Sequence, residues 1–150
     1  MTGFTGLSAF PLTPLRDDAV DDRAFAGLVE RLSSTGVDSI TALGSTGSYA
    51  YLTTEERAHV ARIAVEHAGE TPVVVGIGAP RTSHVVANAE AAQAAGASGM
   101  LIAPMTYQPL THDDVVACRH NWRNRPGHGG RGDDRWAIGT LADGKSPSHA

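Results

Sequence analysis

Cysteine is nearly missing from this 150-residue chain: Cys118 stands alone, so no disulfide can close within it. The start has no basic stretch leading into an apolar run of signal-peptide type, so the expected address is cytoplasmic. Long apolar runs are missing too. None approaches the roughly 20 residues that span a bilayer, and no membrane partner is expected. Lysine is as scarce as cysteine. Lys145 lies in the polar stretch LADGKSPSHA, where nothing promises the desolvation or cationic neighbour that makes an amine nucleophilic near pH 7.

What is present is globular in kind. A composition 41% hydrophobic and 19% charged suits one domain with a real core. The net charge of −4 conceals two unlike parts. Residues 1–117 hold six arginines, no lysine and thirteen acidic residues, a net −7, whereas residues 118–150 hold five arginines, Lys145 and three aspartates, a net +3. The acidic body opposes nucleic-acid binding, and no RNA- or DNA-binding motif accompanies the basic tail.

From residue 4 to about 114 short β-type runs alternate with helical periodicity. FTGLSAFPLTP reads as a first strand and its loop. Asp21 and Asp22 then open a helix whose apolar face is Phe25, Leu28, Val29 and Leu32, with Gly36 as its stop. VDSITAL is a second strand. Thr53 and Glu56 have capping-box spacing before a helix running to about Ala68, with Val60, Ile63, Ala64 and His67 as its buried stripe. PVVVGIG reads as a buried parallel strand, followed by a helix with Val85, Ala89, Ala92 and Gly96 on one face. ASGMLIAP is a fourth strand, and THDDVV opens a fourth helix with Thr111 as cap.

Four successive βα units are α/β in class and fit either an open doubly wound sheet or a (β/α)8 barrel. In both, sites form at the C-terminal ends of the strands, where GSTGS, GIGAPR and APMTYQP fall. The tail, residues 118–150, breaks the pattern. It holds both tryptophans and six of the 17 glycines and shows no sustained periodicity. Such a segment is either the product of a shifted reading frame in a GC-rich gene or a genuine disordered or basic tail.

The turn Gly44-Ser45-Thr46-Gly47-Ser48 can offer backbone N–H groups and hydroxyls to a carboxylate or phosphate, or serve as plain turn chemistry. It is no P-loop, because Ser48 and Tyr49 stand where Lys and Ser or Thr belong. GIGAPR fails the dinucleotide fingerprint at Arg81. Cys118, His120 and His128 lack zinc spacing and a fourth ligand. His59, His67, His84 and His112 are scattered over helices, so neither a metal nor a cofactor is expected.

In order, GLSAFPLTP, GVDSITALGSTGSYAYLTTEER, PVVVGIG and AGASGMLIAPMTYQP resemble the N-terminal half of the dihydrodipicolinate synthase and N-acetylneuraminate lyase family, over about residues 4 to 116. Gly44, Gly47 and the run into LTTEER match its strand-two motif Gly-Thr-Thr-Gly-Glu. Pro104 and Pro109 match the spacing of its strand-four motif. The resemblance implies the first half of a (β/α)8 TIM barrel over residues 1–117, with residues 118–150 an aberrant tail. It also implies a pyruvate-dependent lyase or synthase acting through a Schiff base on a strand-six lysine. By position Ser45 matches a threonine that relays a proton to a tyrosine, and Thr46 the residue holding the pyruvate carboxylate.

Three departures bear on that expectation. Ser48 replaces the motif's glutamate, and Met105 stands at the catalytic tyrosine, for which Tyr107, on the same side of a strand, is a shifted substitute. The lysine itself has no counterpart, because Lys145 lies in a polar terminal stretch. The expectation is therefore half a barrel, inactive alone, that binds pyruvate or a related 2-oxo acid. Its open strand edges favour homo-oligomers or aggregation. The alternative is a non-catalytic module for small-carboxylate binding or assembly.

Overall fold

The computed structural model describes residues 5–103, residues 105 and 113, and the backbone of residues 138–140. Its main sheet is wholly parallel, in the order β1 (Ser8–Ala9), β4 (Ser39–Ala42), β5 (Val73–Gly76), β6 (Gly99–Ile102), β7 (Ile138–Thr140). Helices α1 (Asp22–Ser34), α2 (Thr54–His67) and α3 (Thr82–Ala94) connect the first four of these strands. Each helix packs on the next, α1 on α2 and α2 on α3.

This order decides between the two architectures that periodicity left open. Right-handed crossovers that always step in the same direction place every helix on one side of the sheet, whereas a doubly wound sheet must reverse its order to cover both faces. Among the described strands no reversal occurs, and the sheet is the first part of a barrel wall. Burial agrees: Ile40, Ala42, Val73, Val75, Ile77, Met100 and Ile102 are buried in one core with Phe25, Val29, Val60 and Ala89 from the helices. On the opposite face Val74 and Leu101 are half-buried, and the Ser8 and Thr41 hydroxyls pair at 2.8 Å.

The helix signals act as their chemistry requires. Asp21 caps α1 by accepting from the Ala24 N–H at 3.0 Å. That bond, aided by Arg16, holds the Asp21 carboxyl below its ordinary pKa. Thr53 and Glu56 form a complete capping box at the start of α2. Gly36 and Gly96, at φ +76° and +86°, take the left-handed conformation just past α1 and α3.

Two helix faces differ from the periodic reading. In α1 only Phe25 and Val29 are fully buried, with Leu28 and Leu32 at the margin. In α2 His67 is not part of the buried stripe; its Nδ1 pairs with Glu30 of α1 at 2.7 Å. His59 makes the equivalent link to Asp22 at 2.8 Å. Partners eight residues apart on both helices are what two neighbouring parallel helices produce.

Sequence patterning missed a hairpin between β1 and α1, where β2 (Leu15–Arg16) pairs antiparallel with β3 (Ala19–Val20). Asp17 and Asp18 both have positive φ, 50° and 63°, which makes its two-residue turn. In the segment read as an irregular tail, the described residues Ile138–Thr140 form β7, which adds to the sheet beside β6. Of the fourth helix only Asp113 is described, as helical. Thr111, Tyr107, Pro104, Pro109, His112, Cys118, His120, His128 and Lys145 lie outside the described residues.

Candidate functional site

Strand β4 ends at Ala42, and the chain then bends between two residues with left-handed backbone. Leu43 has φ +58° and Ser48 φ +53°. For non-glycine residues each such conformation costs about 1–3 kcal/mol and persists only where its surroundings enforce it. Between them Ser45–Gly47 form a 3-10 turn, with the Gly47 N–H donating to the Gly44 carbonyl at 2.9 Å. A second 3-10 turn, Tyr49–Tyr51, leads into the capping box of α2.

Close approach explains the glycines around this bend. A Cβ on Gly44 would come within 2.7 Å of the Phe10 ring, and one on Gly76 at the end of β5 would strike the Leu43 carbonyl oxygen. The bend and strand ends enclose a cavity of about 90 Å³, whose lining includes Phe10, Gly44, Ser45, Thr46, Tyr49 and Gly78. It opens where barrel sites form, beyond the C-terminal ends of β1, β4, β5 and β6.

Of the residues expected to act, Ser45 and Thr46 are exposed and line the cavity, with Gly44 buried beside them. Gly47 is placed behind the cavity, where a Cβ would lie 3.4 Å from the Thr13 hydroxyl and 3.5 Å from the Pro11 carbonyl. The Thr46 hydroxyl donates to the Phe10 carbonyl at 3.2 Å. A hydroxyl has one proton, so Thr46 can donate to a carboxylate only by turning away from Phe10. The Ser45 and Thr46 N–H groups open the turn and have no carbonyl within it to meet. Met105, where the resemblance leads one to expect a tyrosine, is half-buried. Tyr107 lies outside the described residues.

Two contributors were missed by motif reading: Tyr49, which lines the cavity, and Arg57 behind it. Arg57 is only 6% exposed. Its Nη1 donates to the Gly78 carbonyl and its Nη2 to the Gly76 carbonyl, each at 3.0 Å. Its Cζ lies 5.2 Å from the centroid of the Tyr49 ring, in cation–π range. Among the described residues no carboxylate pairs with it, and its Nε has no partner. Burial pushes its pKa below the ordinary arginine value, though an arginine keeps its charge in proteins. The signal was in the sequence: position 57 lies three and seven residues before Val60 and Ala64, on the buried stripe of α2.

Among the described residues no group of three His, Cys, Asp or Glu side chains is placed to hold a metal. Nor is any described helix long and apolar enough to cross a membrane.

The fold has known counterparts. Residues 3–116 match the model of the dihydrodipicolinate synthetase family. A 4-hydroxy-tetrahydrodipicolinate synthase from Rhizorhabdus wittichii is 35% identical over 115 residues, 76% of this chain and 40% of that protein. A probable 5-dehydro-4-deoxyglucarate dehydratase from Corynebacterium glutamicum is 39% identical over 100 residues, 66% of this chain and 32% of that protein. The crystal structure of dihydrodipicolinate synthase from Agrobacterium tumefaciens superposes with a TM-score of 0.77 at 40% identity, covering 91% of this chain and 43% of that one. YagE of E. coli K12, solved in complex with pyruvate, gives 0.76 at 26% identity, with 91% and 43% coverage. The chain thus spans about 40% of the length of the synthase from R. wittichii.

Proposed function

This chain belongs to the dihydrodipicolinate synthetase family, and from that membership we propose that residues 44–49 form the carboxylate-binding wall of a pyruvate-type site. The observation that carries the reading is the cavity at the strand ends, whose lining includes Ser45 and Thr46. A 2-oxo acid enters with its carboxylate toward Thr46 and the opening amides of the turn. Its ketone then faces the uncovered side of the sheet, where a barrel's remaining strands would stand.

In the full reaction a strand-borne amine adds to the ketone and water leaves, giving an iminium. Its nitrogen takes up the electron pair released when the adjacent carbon loses a proton, and the resulting enamine attacks an aldehyde. Ser45 relays a proton, with Tyr107 as the phenol. The 150 residues alone do not complete this cycle: residues 1–117 contain no lysine, and Lys145 stands in a polar stretch. Titrating pyruvate into 15N-labelled chain tests the reading. Shifts confined to Ser45, Thr46 and their neighbours support it, and an unperturbed turn overturns it.

The second reading, a non-catalytic binding or assembly module, is favoured by the exposed Leu7, Phe10, Leu12 and Leu15, which run from just before β1 into β2. It requires a defined oligomer in sedimentation over a concentration series, where half a barrel alone gives polydisperse association. For residues 118–150 we propose a shifted reading frame, with a genuine tail, in which Ile138–Thr140 adds to the sheet beside β6, as the alternative. The family match stops at residue 116, and the change of composition and charge begins at residue 118. A resequenced gene whose other frames also fail to resume a βα pattern would remove that proposal.

A further inference from the structure

We propose that Arg57 is a positioning residue for the candidate site, tying its two walls together from behind. The cavity is bounded on one side by the 3-10 turns after β4 and on the other by the strand end and loop after β5. Arg57 holds both: its ring contact is to Tyr49, and its two hydrogen bonds go to Gly76 and Gly78. All three of these residues line the cavity.

The energetics point the same way. A buried charge with no carboxylate partner is expensive, and an apolar side chain on the α2 stripe would fill the same space at lower cost. What such a side chain cannot do is bridge. Only a planar, forked donor reaches the carbonyls of Gly76 and Gly78, on either side of Ile77, while lying against an aromatic ring. The bridge spans the bend that Leu43 and Ser48 enter in left-handed conformation, a geometry that its surroundings must enforce. Arg57 also leaves a positive charge directly behind Tyr49, in a wall that an anionic ligand would face. That last consequence rests on the carboxylate reading of the cavity; the bridging role does not.

Amide hydrogen exchange on the ligand-free chain tests the bridge. Arg57→Met should keep a cooperative melt while exchange at residues 44–51 and 76–79 accelerates about tenfold, with the middle of α1 unchanged. Arg57→Lys should recover only part of the protection, because an ammonium cannot reproduce the fork. Unchanged exchange at both walls, or an equal rise throughout the chain, would overturn the proposal. Should Arg57→Met fail to fold, Tyr49→Leu decides. It removes the ring contact and leaves both carbonyl bonds, so residues 44–51 should loosen while residues 76–79 stay protected; wild-type protection in both is the contradicting result.

A pyruvate titration of the same proteins separates this inference from the reading of the site. Weaker binding in Arg57→Met by about tenfold supports the charge as well as the bridge. Wild-type protein blind to pyruvate overturns the carboxylate site and the role of the charge within it, while the exchange pattern decides the bridge independently.

Discussion

The Thr46 hydroxyl donates to the Phe10 carbonyl across 3.2 Å, joining the turn after β4 to the end of β1. That bond sets the ligand-free state of the turn. Thr46→Val removes the hydroxyl and keeps the shape, so it should weaken pyruvate binding by about tenfold, whereas Thr46→Ser should bind within about threefold of wild type. Titration followed by NMR reads both. Equal affinity in all three proteins would detach Thr46 from the ligand.

Gly76 meets the Leu43 backbone so closely that an added methyl would strike the Leu43 carbonyl oxygen. Gly76→Ala should therefore force β4 and β5 apart at the cavity and cost about 1–3 kcal/mol in urea unfolding. Gly27→Ala, in α1 where a Cβ meets nothing within 4 Å, should instead stabilise the chain by about 0.4–1 kcal/mol.

Asp21 has a folded pKa below its ordinary value of 3.8, chiefly because its carboxylate accepts the Ala24 N–H and secondarily because of Arg16. A carboxyl with a depressed folded pKa contributes stability that is complete above its unfolded pKa and disappears as pH falls through the folded one. Chain stability should therefore decline below about pH 4. Asp21→Asn, which still caps the helix, should flatten that part of the profile. Thermal melts between pH 2 and pH 6 check the difference.

His59 with Asp22 and His67 with Glu30 join α2 to α1 at two levels. All four side chains are substantially exposed, so each double-mutant cycle to alanine should give a coupling of about 0.2–1 kcal/mol. A coupling above about 2 kcal/mol would contradict their reading as weak, exposed pairs.

Much of this structure could be read from residue order, for reasons that differ by element. Helix starts were legible because Asp21 and the Thr53–Glu56 box are local devices whose partners lie three residues away. Strands were legible as short apolar runs, but strand order is a long-range property that periodicity leaves open; the family resemblance implied the barrel, and the sheet order agrees with it. The β2–β3 hairpin escaped because strands of two residues carry no period. His67 was misplaced because an imidazole at a stripe position can turn to a carboxylate on the neighbouring helix. Within the site, Ser45 and Thr46 were visible as a motif. Arg57 was not, because its partners are backbone carbonyls of β5 and the loop beyond, which no side-chain pattern announces.

The central claim is that residues 44–49 form one wall of a pyruvate-type site whose amine nucleophile these 150 residues do not supply. The most direct measurement is the intact mass of the chain after incubation with pyruvate and borohydride. We expect the mass to stay that of the untreated chain, even where titration shows pyruvate contacting Ser45 and Thr46. A stable adduct mapped to Lys145 would contradict the account, since it would give this chain a working nucleophile of its own.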